Sequence, residues 1–431
     1  MKTIRILVAS FVVCAVTVVA GSPAASACRW RTYRPLADSQ SAGGYTLSPA
    51  DLTPDGRYVI IISNYYLSPG QGAGTSVFLH DLHTGTTSVV DVTSDGEGAN
   101  GNSYGGRISA DGRYVLFTSD ATNLAPGLPR VHWAAYLRDT RTGTTSRVAI
   151  SSTGAHSDRW SQGSGLSDNG RYVLFDTDDA GIVPGDSNGL SDVFIRDMKS
   201  GTVARVSLAT SGAEPAGESF GMDVTDDGRY VLFQSDADNL VPGDTNQGFD
   251  VFVRDMKTGV TSMVNVSRTG RPTSGYRFDA ALSRNGRYVV FVSDAADHVE
   301  GDTNGKADVF VRDLVTGTTS RVNTSHTGEQ ALGDSRDAHI SPDGRYVVFA
   351  SDAANLVPGD TNGTRDVFLR DRLLGTITRV SVASDGAQGN GPSDYPLVSG
   401  QGRSVVFLSS ASNLVSGDTN QFADLFVRAR C

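Results

Sequence analysis

Asp337-Ala-His-Ile-Ser-Pro-Asp-Gly-Arg-Tyr-Val-Val-Phe-Ala-Ser351 holds two strands and the turn between them. Ala338 to Ile340 is a short strand, strand A. Ser341 to Gly344 is a tight turn in which glycine supplies the positive φ that such turns need. Arg345 to Ser351, rich in β-branched and aromatic side chains, is strand B. Further along, a long loop over 352–365 leads to strand C, Asp366 to Arg370, and a turn around Gly375 feeds strand D, Thr376 to Val382. The same pattern recurs at Gly56, Gly112, Gly170, Gly228, Gly286, Gly344 and Gly402, at spacings of 56 and then 58 residues. No 3.6-residue apolar period persists, so helix is the poorer reading. A four-stranded sheet has two apolar faces that it cannot bury alone, and seven such sheets arranged radially bury them against one another. The expected fold is all-β: a seven-bladed β-propeller of four-stranded antiparallel blades.

Positions in register agree. Four residues before each glycine stand Leu52, Ile108, Leu166, Val224, Leu282, Ile340 and Val398, all apolar; six before it, the residues are mostly small, as crowding near a propeller axis demands. The seventh unit stops at Arg430-Cys431, after its strand C. Residues Arg31 to Asp38 line up with strand D of unit six, Thr376 to Ala383, so the N-terminal segment is expected to complete the last blade. In that register Cys28 and Cys431 fall at the same turn, and a disulfide between them would clamp the ring; two unrelated thiols are the other reading.

Lys2 and Arg5 precede an uncharged apolar run, Ile6 to Ala20, and a small-residue site, Ala25 to Ala27. This predicts a signal peptide over 1–27 and a mature propeller over 28–431 that is secreted and extracellular. A lipid anchor on Cys28 is the alternative. No later stretch is apolar enough to span a bilayer, and a monomer is expected. The formal net charge of −10, more negative still without Lys2 and Arg5, argues against nucleic acid as a partner.

With the repeat laid out, the units resemble TolB-type β-propeller repeats, cousins of the WD repeats. The likeness rests on Asp343-Gly-Arg-Tyr-Val-Val-Phe349 and on Asp308-Val-Phe-Val-Arg-Asp-Leu-Val-Thr-Gly317, and it spans 28–431. It implies a propeller that serves as an interaction platform or caps a hydrolase domain, and no hydrolase domain follows here. The long Asp-Thr-Asn loop departs from the shorter TolB repeat, so a TolB-like role in an envelope complex is not carried over.

That loop is the most repeated polar motif. It supplies Asp186, Asn188 and Asp192; Asp244, Asn246 and Asp250; Asp302, Asn304 and Asp308; Asp360, Asn362 and Asp366; and Asp418, Asn420 and Asp424. Oxygen ligands at alternate positions before a glycine are those of calcium loops. The plain alternative is Asx capping of a turn. Gly-x-Ser-x-Gly occurs around Ser103 and Ser219, but both serines sit nine residues before their unit's glycine, a by-product of the repeat without the strand-turn-helix of a nucleophile elbow. No catalytic residue is assigned.

Function is expected where the repeats differ. Eight residues before each glycine stand Ser48, Tyr104, Gln162, Phe220, Phe278, Arg336 and Asp394, with Trp160, Tyr276, Arg277 and Tyr395 nearby. On one rim of the ring these side chains can stack on sugars or anchor a peptide; filling space between loops is the bland reading. The leading expectation is a non-catalytic binding module for an extracellular polysaccharide, wall component or protein. The alternatives are a secreted glycan hydrolase or lyase with its site in the central funnel, and a structural surface protein. Converging carboxylates in the funnel would favour the enzyme; an aromatic shelf without them would favour binding.

Overall fold

The structure, a computed structural model, describes residues 29–36, 47–64, 66–72, 74–273, 279–420 and 422–430. The segment 1–27, Cys28, Cys431 and the rim residues Tyr276, Arg277 and Phe278 lie outside the described residues. Seven four-stranded antiparallel sheets follow one another around an axis, each in the order A-B-C-D from the axis outwards. In blade six these strands are Ser335–Ile340, Tyr346–Ser351, Asp366–Asp371 and Thr376–Arg379. Strand A starts earlier than its sequence suggests because a bulge between Arg336 and His339 lets the pairing run on to Ser335. Strand D stops earlier. After Arg379 the chain leaves the sheet for a tight loop held by the Val382–Gln388 bridge.

The apolar alternation of strands B and C puts Phe349 directly opposite Phe368, both fully buried, with ring centroids 5.9 Å apart. The same pairing recurs as Phe175–Phe194, Phe233–Phe252, Phe291–Phe310 and Phe407–Phe426. The core lies between blades rather than at the centre: Val290, Val309 and Val311 of blade five pack with Ile340, Val347 and Phe349 of blade six.

The Gly-Arg-Tyr signature has a physical cause. Gly344 has φ 76°, and a Cβ there would come 2.2 Å from the ring of Tyr288 in the preceding blade. Arg345 lies 4.9 Å over Tyr346 and pairs with Asp371 at 2.7 Å, tying strand B to the end of strand C.

Closure follows the register expected from sequence. Trp30–Tyr33 runs antiparallel to Asp424–Arg430, with Arg31 opposite Ala429 as Thr376 is opposite Asp371 in blade six. Arg34 then reaches Asp424 at 2.7 Å and Asp418 at 3.4 Å, the part played in blade six by Arg379 with Asp366 and Asp360. The N-terminal strand is thus strand D of blade seven.

Candidate functional site

The seven innermost strands surround an axial channel. Five residues before each repeat glycine, these strands carry Asp51, Arg107, Gly165, Asp223, Ala281, His339 and Leu397. The Asp51 carboxylate accepts from the Leu52 amide (2.8 Å) and from that of Ile108 in the next blade (2.9 Å); Asp223 does the same with Val224 (2.9 Å) and Leu282 (3.2 Å). His339 Nδ1 accepts from the Val398 amide at 3.3 Å. These three side chains therefore clasp neighbouring blades. An accepting Nδ1 fixes the His339 proton on Nε2. Burial pushes its pKa down to about 4 against the pull of Asp51 and Asp223, so the ring is neutral near pH 7.

Arg284, from the A–B turn of blade five, lies across one end of the channel, paired with Asp168 at 2.9 Å and Asp223 at 2.6 Å. Burial works against its charge, but the surrounding carboxylates outweigh it and raise its pKa. Burial likewise holds Asp168 up at about 6 despite Arg284. Above this floor is a cavity of about 350 Å³ lined by Asp51, Arg107, Asp223 and His339, with Asp279, Asp337 and Tyr395 on the strand-entry side. Asp337 (φ 53°) and Tyr395 (φ 51°) are in the left-handed region at the position where blade two has Gly105 (φ 71°). Non-glycine residues pay strain for that conformation, and such strain clusters at functional sites. The Tyr395 amide donates to Asp337 at 3.3 Å; burial, reinforced by Asp279, keeps the Asp337 pKa raised.

On the rim, Tyr104, Trp133, Trp160 and Gln162 line a cleft of about 330 Å³ with Gly105 and Thr118. Tyr104 and Trp133 have ring centroids 5.6 Å apart at 49°, His132 stacks behind Trp133 at 6.0 Å, and Tyr104 is 45% exposed. A second pair, Phe220 and Phe249, lies in blade four with ring centroids 6.0 Å apart. In blades six and seven the rim is charged and engaged with itself: Arg336 pairs with Asp352 (2.9 Å), which pairs with Arg365 (3.0 Å), which pairs with Asp394 (2.6 Å). The structure thus brings Tyr104 and Trp160 together, sets Phe220 in a separate pair, places Tyr395 at the channel, and commits Arg336 and Asp394 to an ion-pair chain. Sequence reasoning missed Trp133, which lies in the one-off B–C loop of blade two, and the whole ring five residues before each glycine. A charged or imidazole side chain next to the constant apolar residue four before the glycine, as in Asp51, Arg107, Asp223 and His339, was the available signal.

The Asp-Thr-Asn loops are capped turns. Asn304 Oδ1 accepts from the Lys306 amide (3.0 Å) while its Nδ2 donates to Asp308 (3.1 Å). In blade five Arg321 meets Asp302 at 3.1 Å and Asp308 at 2.9 Å, and Arg205, Arg379 and Arg34 stand likewise in blades three, six and seven. Among the described residues no three His, Cys, Asp or Glu side chains gather around one metal position. Ser103 and Ser219 are fully buried, each paired with a serine of strand B, Ser119 or Ser235, at 3.0 Å.

No protein-family model matches the chain, and no curated protein matches it. Solved structures share the fold. An oligogalacturonate lyase in complex with manganese is similar over 94% of this chain and 96% of its own, at 13% identity and TM-score 0.52. A TolB protein from Agrobacterium tumefaciens is similar over 68% of this chain and 88% of its own (18% identity, TM-score 0.40). An acylaminoacyl peptidase of Pyrococcus horikoshii is similar over 85% of this chain but 49% of its own (13% identity, TM-score 0.49). The fold and repeats define the class: a seven-bladed β-propeller.

Proposed function

We propose that this protein is an extracellular, non-catalytic binding propeller that takes a polysaccharide on its rim. The reading is carried by the cleft of Tyr104, Trp133 and Trp160. Indole and phenol faces stack on the C–H faces of sugar rings, and Gln162 and Thr118 beside them supply partners for hydroxyl groups. The basic and apolar segment of Lys2, Arg5 and Ile6 to Ala20 supports export.

A second reading has its own observation. Asp279 and Asp337 stand together on the strand-entry side of the channel, and the latter's pKa is raised. A pair of neighbouring carboxyls is the equipment of a glycan-cleaving enzyme.

Co-sedimentation of the purified protein with insoluble polysaccharides, with assay of the supernatant for released sugar, tests both. Retention without release, weakened about 30-fold in Trp133→Ala as expected for an aromatic anchor, supports the binding module. Retention that ignores Trp133→Ala sinks the cleft as the site. Sugar released by the wild type but not by Asp337→Asn moves the assignment to the enzyme, and no retention on any polysaccharide points to a protein or another wall component.

A further inference from the structure

Blade four keeps the Asp-Thr-Asn loop but lacks its cation. In blades three, five, six and seven, one guanidinium nitrogen meets Oδ1 of the loop's first aspartate and Oδ2 of its last, at 2.7 to 3.4 Å. In blades three, five and six the arginine sits opposite the strand C phenylalanine: Phe194 with Arg205, Phe310 with Arg321, Phe368 with Arg379. In blade four the residue opposite Phe252 is Met263. Its thioether has no hydrogen to donate, and it packs with Leu240, Phe252 and Val266. Glu214, Gln330 and Gln388, which hold those arginines at 2.7, 3.1 and 2.8 Å, have Pro272 as their counterpart.

The atoms left over are the same two that bind the guanidinium elsewhere. Among the described residues, Asp244 Oδ1 and Asp250 Oδ2 have no hydrogen-bond partner, and they are buried in residues 7% and 0% exposed. Asn246 and Asn265 both donate to the other oxygen, Asp250 Oδ1. Blade four also adds a negative charge. Asp238, exposed, stands where the other units with this loop have Ala180, Ala296, Ala354 and Ser412, and its field reaches both buried carboxyls. Two buried carboxyls with a third nearby and, among the described residues, no counter-ion are costly to ionise.

We propose that blade four binds one divalent cation of the calcium type between Asp244 and Asp250, in the place that a guanidinium fills in its sister blades. The donors are hard oxygens. The Gly185 and Gly359 carbonyls accept from the other guanidinium nitrogen, Nη2, of the sister arginines at 3.0 and 3.3 Å, so the counterpart carbonyl of Gly243 is a further hard oxygen on the border of the same space. Water on the side of exposed Asp238 completes a sphere of the size and flexibility that calcium accepts. Zinc would look for nitrogen or thiolate ligands that this loop lacks. Bound there, the ion ties the B–C loop to its own blade as the arginines do in the others, independently of what the rim binds.

Equilibrium dialysis of the chelator-stripped protein against calcium tests this. The wild type is expected to take up about one ion per chain. Met263→Arg, which installs the sister blades' guanidinium, and Asp244→Asn, which removes a ligand, are each expected to take up none while keeping the wild-type circular dichroism spectrum. The proposal is overturned if the stripped wild type binds no ion at millimolar calcium, or if a folded form of either variant binds as the wild type does.

Discussion

At the scale of the residue, the glycine that marks each repeat does two jobs that can be separated. Gly344 and Gly359 both have positive φ, 76° and 74°, but only Gly344 has a neighbouring blade where its Cβ would go. Gly359→Ala should therefore cost about 1 kcal/mol, the price of left-handed backbone alone. Gly344→Ala adds overpacking against the Tyr288 ring and should cost about 2–4 kcal/mol. Denaturant unfolding of the two variants measures the difference, and equal costs would mean that the blade interface yields freely. The same comparison gives meaning to Asp337 and Tyr395: they hold a conformation that blade two assigns to glycine, and they do so beside the channel cavity.

At the scale of the element, the blades were legible and the channel was not. Gly-Arg-Tyr recurs because each copy answers to a contact made in nearly every unit: the glycine with the previous blade's tyrosine, the arginine with the aspartate ending strand C. Repetition exposes such residues. At their positions His339 and Arg284 occur once and aspartate only twice, as Asp51 and Asp223, and their partners lie on another blade, as Ile108 does for Asp51, so periodicity hides them. The arginines facing the Asp-Thr-Asn loops are legible in the sequence, since Arg205, Arg321 and Arg379 keep a fixed distance from their repeat glycine, but the loop motif by itself does not point to the strand that faces it. The edge strand of blade seven carries a further prediction. Trp30 faces Arg430, and in sequence Cys28 comes two residues before the one and Cys431 one residue after the other. We expect them to form a disulfide. Protein purified without reductant should resist thiol alkylation at both until reduced, and should melt at lower temperature afterwards; alkylation of both without reduction would refute the bond.

At the scale of the whole molecule, two sets of aspartates pull stability in opposite directions with pH. Burial lifts Asp91 and Asp168 to about 6 and Asp176 to about 7, above the 3.8 of a free side chain. A carboxyl raised on folding contributes stability that is full below its unfolded pKa and is lost as pH rises through the folded one. Hydrogen bonds from Arg57, Arg113 and Arg229 lower Asp81, Asp139 and Asp255 to about 2, and their contribution, present above 3.8, is lost as pH falls through about 2. The melting temperature, measured in chelator, should be highest near about pH 4–5 and decline towards about pH 8. Asp176→Asn should flatten that decline, and a melting temperature constant from about pH 5 to 8 would contradict the assignment. The closed ring has a further consequence, one of timing. The Arg428 guanidinium and the Thr32 hydroxyl that it meets are 396 residues apart, whereas blades one to six each draw all four strands from one continuous stretch. Those six can assemble in the order in which the chain is made. The seventh must wait for the strand that ends at Arg430, so completing the ring is a loop closure across almost the entire chain. Until then the ring is an open arc, with the apolar flanks of its first and last blades within reach of any protease or chaperone that finds it.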